Sequence, residues 1–160
     1  MEKVSYRPIG IIETPFLTRE GMPIQAAGGE GVRGRIQLFP EYVPGLQDLG
    51  GFSHIILIYH FHLTHDAPLR VTPFLDTVAR GVFATRSPNH PNAIGISIVR
   101  LLGIRDGTLE IQDLDIVNET PLLDIKPYVP AFDHRQPERL GWLEKADEAV
   151  RKTKADRRFT

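Results

Sequence analysis

IGISIVRLLGIRDGTLEIQDL, residues 94–114, decides the fold class. Apolar positions alternate with polar or small ones from Ile94 to Ile104 and again from Thr108 to Leu114, the period of two expected of half-buried strands. Between them stands Asp106-Gly107, a pair that accepts the positive φ angles of a tight two-residue turn. The stretch therefore predicts an antiparallel hairpin.

Working outward, the same criteria predict strands at Tyr6–Glu13, Val32–Phe39, His54–His62, Leu69–Pro73 and Val82–Ala84, and a last edge strand from Leu122 to Tyr128, ending at Pro127. In Val32–Phe39, Arg33, Arg35 and Gln37 share the exposed face. HIILIYHFH reads as a central buried strand, with His54, Ile56, Ile58, His60 and His62 on one face and Ile55, Leu57, Tyr59 and Phe61 on the other. Thr14–Glu30 is a long connection, Glu41–Leu49 a short helical turn and Val117–Pro121 a polar turn. Thirteen prolines and 14 glycines in 160 residues suit short strands and turns. From Pro137 the texture changes: Leu140, Leu143, Ala146 and Val150 recur at helical spacing, predicting an amphipathic α-helix over 137–158 whose end carries Arg151, Lys152, Lys154, Arg157 and Arg158. The expected architecture is mainly β, one domain over 5–133 with a helical extension.

A net charge of -1 gives no global footprint for nucleic acid, and DNA is not expected as a partner. Cysteine is absent, which excludes disulfides and thiolate metal sites and suits the cytoplasm. The start, MEKVSYRPIGII, has no long apolar run, so neither signal peptide nor membrane span is expected.

Chemistry concentrates in RGVFATRSPNHPNAIGIS, residues 80–97. Arg86, Ser87, Asn89, His90 and Asn92 all donate hydrogen bonds, and Pro88 and Pro91 stiffen the loop that carries them. Gly95 allows close approach where the strand restarts. Gln25 offers an amide in the long connection. His60, His62, His65 and Asp66 have a spacing that invites a metal, yet Thr64 occupies the acid position of the HxHxDH signature, and no metal is assigned. Neither Gly-x-Gly-x-x-Gly after a strand nor Gly-x-Ser-x-Gly occurs, so dinucleotide binding and a serine nucleophile are unsupported.

RGVFATRSPNHPNAIGIS, followed by LDIVNETPLLDIKPYVP and preceded by GFSHIILIYHFH, resembles the TsaA-like β-barrel family, from about Tyr6 to Asp133. The resemblance implies a single antiparallel β-barrel, a homodimer, and S-adenosyl-L-methionine bound near the dimer interface. It implies methyl transfer to the exocyclic nitrogen of threonylcarbamoyladenosine beside the tRNA anticodon. Carried over by position, the cofactor contacts fall on Gln25, Ala26 and Ala27, on His62 and Leu63, on Arg86, on Ile96, and on Gln112, Asp113, Leu114 and Asp115. Ser87, His90, Pro91, Asn92 and Gly95 would support the loop. Asp124, Lys126 and Tyr128 in DIKPY are the candidates for substrate contact or proton handling. The family loop has arginine where this chain has His90, and a second proline where it has Ala93. Two alternatives stay open: a cofactor-binding regulatory module without tRNA activity, and an enzyme with a histidine-ligated metal.

Overall fold

The turn at 106–107 forms as its residues require, with φ of 48° at Asp106 and 79° at Gly107. Both angles lie in the left-handed region of a turn that matches strand twist. The computed structural model describes residues 2–24, 28–74 and 76–145. Its main strands are β1 (Gly10–Glu13), β2 (Arg33–Leu38), β3 (His54–His60), β6 (Ile94–Arg105), β7 (Thr108–Gln112) and β8 (Thr120–Pro127). They close into an antiparallel barrel of order β1-β2-β7-β6-β3-β8. A small ribbon of β4 (Arg70–Val71) and β5 (Arg80–Gly81) lies outside it.

The 12-residue β6 makes closure possible. Its first part pairs with β3, from His54↔Arg100 to His60↔Ile94, and its last part with β7, to Arg105↔Thr108. The register shifts between Leu101 and Gly103, and such a bulge bends and twists the strand. Inside, Ile12, Ile36, Ile55, Leu57, Leu109 and Leu122 are fully buried. Each contributes about 1.5–3 kcal/mol relative to exposure.

Most predicted strands are present, several shortened. The first is confined to Gly10–Glu13 and the third stops at His60. The third strand is buried on one face only: Ile55, Leu57 and Tyr59 point inward, while Ile56 and Ile58 are half-buried. As expected, Arg33, Arg35 and Gln37 are exposed, with Arg35 bonded to Glu13. The predicted helical turn is a 3-10 segment, Pro40–Leu46.

Three expectations are corrected. Val82–Ala84 is a 3-10 turn, not a strand, since Val82 is buried while Phe83 points to solvent. The DIKPY strand is no edge: β8 pairs with both β1 and β3, closure leaves it no free side, and its prolines sit near its ends. Pro137 starts no helix. A four-residue α-helix, α1 (Pro130–Asp133), precedes it, and a 3-10 turn, Gly141–Lys145, follows, entered through Gly141 at a φ of 62° that no right-handed helix tolerates. The remainder of the predicted helix, 146–158, lies outside the described residues.

Candidate active site

The end of β3 and the start of β6 form one wall of a cavity of about 790 Å³. Segments from four other parts of the chain complete it: 19–24, 73–74, 83–90 and 115–120, with Trp142 and Leu143 at the rim. The size suits a cofactor-sized molecule.

Its floor is a hydrogen-bonded chain. Ser97 Oγ donates to Asp115 Oδ1 at 2.6 Å, and Ser97 Oγ lies 3.0 Å from the Tyr59 hydroxyl. Because the serine proton goes to the carboxylate, Tyr59 is the donor to Ser97. Burial, reinforced by the Asp115 carboxylate, pushes the Tyr59 hydroxyl well up, so it stays protonated and keeps donating at any working pH. The register puts Tyr59 opposite Gly95, and its ring covers that glycine: a Cβ there would come within 2.1 Å of the ring. The segment that follows Asp115 is tied down as well. Thr14 Oγ1 donates to the Ile116 carbonyl at 2.7 Å, and Thr14 N donates to Asn118 Oδ1 at 3.0 Å.

Arg86 reaches the same cavity, and its positive charge is felt at Tyr59, opposing the rise that burial causes there. The loop that carries it is tied to itself. Thr85 Oγ1 donates to the Val82 carbonyl at 2.8 Å, Asn89 N donates to Ser87 Oγ, and His90 Nε2 lies 3.2 Å from the Thr85 carbonyl. At the rim, Trp142 Nε1 donates to the Ala84 carbonyl at 2.8 Å, and the Arg80 guanidinium lies over its ring. Phe83, 78% exposed, borders the opening edge-on to His90.

His62 stands in the wall, and its pKa is lowered, first by burial and then by the charges of His60 and Arg19. It is therefore neutral at pH 7. His60 instead faces out, its Nδ1 3.2 Å from the Ala93 carbonyl, because the strand ends there and the expected common face of the two histidines ends with it. His65 and Asp66 are exposed. Among the described residues, no three His, Asp or Glu side chains are grouped to hold a metal ion.

The sequence-predicted residues thus divide. His62, Leu63, Arg86, Ser87, His90, Gly95, Ile96 and Asp115 border the cavity. Gln25, Ala26 and Ala27 lie outside the described residues. Leu114 is fully buried core. Asp113, at a φ of 72°, spends Oδ1 on the Gly31 amide at 2.8 Å, with Gln112 Nε2 3.4 Å from the same oxygen. These two therefore anchor the glycine loop and do not border the cavity. Pro91 and Asn92 are exposed. Asp124 and Lys126 pair at 2.8 Å on the outer face of β8, and Tyr128 packs edge-on against His54. Neither group borders the cavity. Missed altogether were Tyr59, concealed as an ordinary apolar-face residue of its strand, Ser97, the loop-borne Arg19, and Phe83 and Trp142 in their 3-10 turns. Only the aromatic character of Phe83 beside the donor-rich loop could have drawn attention beforehand.

Comparison with known proteins fits this geometry. Residues 11–134 match the family model described as the tRNA-methyltransferase O N-terminal domain. A probable S-adenosyl-L-methionine-binding protein of Pyrococcus abyssi is 51% identical over 156 residues, 98% of this chain and 85% of that protein. The human tRNA (adenine(37)-N6)-methyltransferase is 32% identical over 136 residues, 81% of this chain but 31% of the human one. The crystal structure of TrmO from Pseudomonas aeruginosa superposes with a TM-score of 0.73 at 36% identity, covering 88% of this chain and 63% of that one. The chain thus spans less than two thirds of that solved relative and under a third of the human one.

Proposed function

The chain belongs to the tRNA-methyltransferase O N-terminal domain family, and from that premise we propose that it is an S-adenosylmethionine-dependent methyltransferase acting in the cytoplasm. Its acceptor is the exocyclic nitrogen of threonylcarbamoyladenosine beside the tRNA anticodon. The observation that carries this reading is the pairing of a fixed carboxylate, Asp115, with a guanidinium, Arg86, both acting on Tyr59 at the floor of a largely apolar cavity. One anion and one cation lining the same cavity suit the ammonium and carboxylate of an amino-acid zwitterion. Such a site fits the methionine part of the cofactor. When bound, the cofactor supplies an electrophilic methyl group on its sulfonium.

The protein's share is placement. Arg86 supplies the positive charge that a carboxylate needs, and Asp115, already turned by Ser97, the negative charge that suits an ammonium. Tyr59, Phe61 and Ile116 exclude water around them. Holding both reactants in line supplies much of the rate in a transfer that needs no covalent intermediate on the enzyme.

Purified protein is therefore expected to bind S-adenosylmethionine in a calorimeter and to label tRNA from a strain lacking the methylation. Arg86→Ala should weaken the cofactor by roughly 10–100-fold, the worth of a charge-assisted pair. Binding without transfer would leave a cofactor-binding module, and heat unchanged in Arg86→Ala would remove the proposed carboxylate site.

The family resemblance also supports a homodimer, and the outer barrel wall offers a face for it. Ile94, Ile96 and Ile98 are 45%, 52% and 43% exposed, and across the β3–β6 register Ile56 pairs with Ile98 and Ile58 with Ile96. Ile94 and Ile96 belong to the cavity wall too, so a second copy seated here would help close the site. Asp124, opposite Ile58 in the register, and Lys126, opposite Ile56, flank this face, which would set them against the partner. Ile96→Asp combined with Ile98→Asp should give a monomer by sedimentation and a large loss of transfer. A dimer persisting in that variant would place the interface elsewhere.

A further inference from the structure

The nitrogen that receives the methyl group starts with a proton that has to leave, and the cavity holds few groups able to take it. Among the described residues, the titratable side chains of its lining are Arg19, Tyr59, His62, Arg86, His90 and Asp115. The two guanidiniums stay charged. Tyr59 keeps its own proton, held by burial and by the Asp115 charge. Asp115 Oδ1 already accepts from Ser97 at 2.6 Å, and its charge is matched to the cofactor's ammonium. His90 Nε2 lies 3.2 Å from the Thr85 carbonyl, which occupies one of its nitrogens, and its ring stands at the opening beside exposed Phe83. His62 remains. Neither of its ring nitrogens has a hydrogen-bond partner among the described residues.

The backbone that carries this ring is fixed on three sides. Phe61 N donates to the Ala93 carbonyl at 2.8 Å, which extends the β3–β6 ladder past the end of the strand. Thr64 N donates to the Phe61 carbonyl at 3.1 Å and closes the turn around His62. Arg19 Nη2 donates to Thr64 Oγ1 at 2.8 Å and ties that turn to the connection between β1 and β2. A side chain held by its backbone and open at its nitrogens is organised before the substrate arrives. The charges that act on it come from three segments: His60 on its own strand, Arg19 in that connection, and Glu119 just ahead of β8. Burial, His60 and Arg19 favour the neutral ring and outweigh Glu119, which favours the charged one.

Resting on the methyltransferase reading above, we infer that His62 is the base that takes the proton from the acceptor nitrogen as the methyl group arrives. The nitrogen's electron pair forms the new N–C bond, its N–H bond breaks toward a ring nitrogen of His62, and the electron pair of the broken C–S bond stays on sulfur. The imidazolium so formed then gives its proton to water at the opening.

The test uses the whole chain with tRNA from a strain lacking the methylation. Because only the neutral ring accepts a proton, kcat/KM should fall as pH drops through the pKa of His62 and stay level above it. The midpoint of that fall should match the His62 C2–H titration followed by NMR in the free protein, and both should lie below the ordinary imidazole value. Glu119→Gln removes the carboxylate that holds this pKa up, so both midpoints should move further down together. His62→Gln should slow transfer by about 100–10,000-fold, the worth of a positioned base, and abolish the acid limb. Its cofactor affinity by calorimetry should change less than about twofold. An acid limb that persists in His62→Gln, or that is lost instead in His90→Gln or Asp124→Asn, overturns the inference and leaves the methyltransferase reading intact. So does a kinetic midpoint that stays in place in Glu119→Gln while the NMR midpoint moves, or a loss of cofactor affinity in His62→Gln that matches the loss of transfer. No transfer by wild type overturns both together.

Discussion

Asp115→Asn should weaken S-adenosylmethionine binding by about 10–200-fold, the net worth of a hydrogen bond to a charged partner, while leaving the fold almost untouched. The substitution keeps the shape and keeps an oxygen for the 2.6 Å bond from Ser97, so the chain through Tyr59 survives. What disappears is the negative charge available to the ligand's ammonium. A thermal midpoint close to wild type combined with a large rise in Kd is the expected pair of results. Removing the support rather than the charge should act more gently. Ser97→Ala frees the carboxylate to rotate, and Tyr59→Phe removes the donor behind Ser97. Both should weaken binding less than Asp115→Asn, in that order. A ligand lacking the amino group tells the two effects apart, since its affinity should be indifferent to residue 115. If Asp115→Asn binds S-adenosylmethionine as well as wild type, the zwitterion match is wrong.

The hairpin was legible because period-two alternation and an Asp-Gly turn are local properties, and nothing at a distance overrides them. Barrel closure is borne out as the family resemblance implied it, but no local pattern announced it. It depends on the irregular register at Leu101–Gly103, which lets one strand leave β3 and join β7, and a bulge has no reliable mark in a single sequence. The same limit shaped the site. Gln112 to Asp115 is one continuous stretch to a reader of sequence, but the left-handed backbone at Asp113 turns the chain, so that Leu114 enters the core while Asp115 meets Ser97. Tyr59 was legible as an inward residue and illegible as a functional one, because its hydroxyl acquires meaning only when β3 and β6 are in register. The serines lacked a base in the sequence; Ser97 finds its acceptor 18 residues away across the barrel end. Arg19 comes from a segment without periodicity, where no pattern says which way a side chain points, and Trp142 from one whose helical spacing pointed to a helix where a 3-10 turn stands. The cofactor itself came from motif resemblance, as did DIKPY, whose Asp124–Lys126 pair lies on the outer face and not in the cavity of the single chain.

Gly95→Ala should be among the most damaging single-methyl additions in the chain. Its Cβ would sit 2.1 Å from Tyr59 Cε2 and 2.4 Å from Cζ, distances no contact tolerates. The ring has little room to yield. Tyr59 is 3% exposed, packs edge-on to Phe61 at 5.4 Å, and is tethered through its hydroxyl to Ser97. Overpacking of this kind costs about 1–3 kcal/mol. Pushing the hydroxyl off Ser97 adds about 1–3 kcal/mol for a buried polar group left unpaired. At about 2–4 °C per kcal/mol for a chain of this size, the thermal midpoint should fall by roughly 5–20 °C. Cofactor affinity should fall with it, because Ser97 loses the donor that orients it toward Asp115. The cause is separable from general damage to β6. In a Tyr59→Leu background the ring and its hydroxyl are gone, so adding Gly95→Ala should cost far less than it does in wild type, a coupling of about 0.5–3 kcal/mol or more in a double-mutant cycle. A cost that is the same in both backgrounds would mean that Gly95 matters for backbone reasons alone, and that the ring of Tyr59 does not set the floor of the cavity.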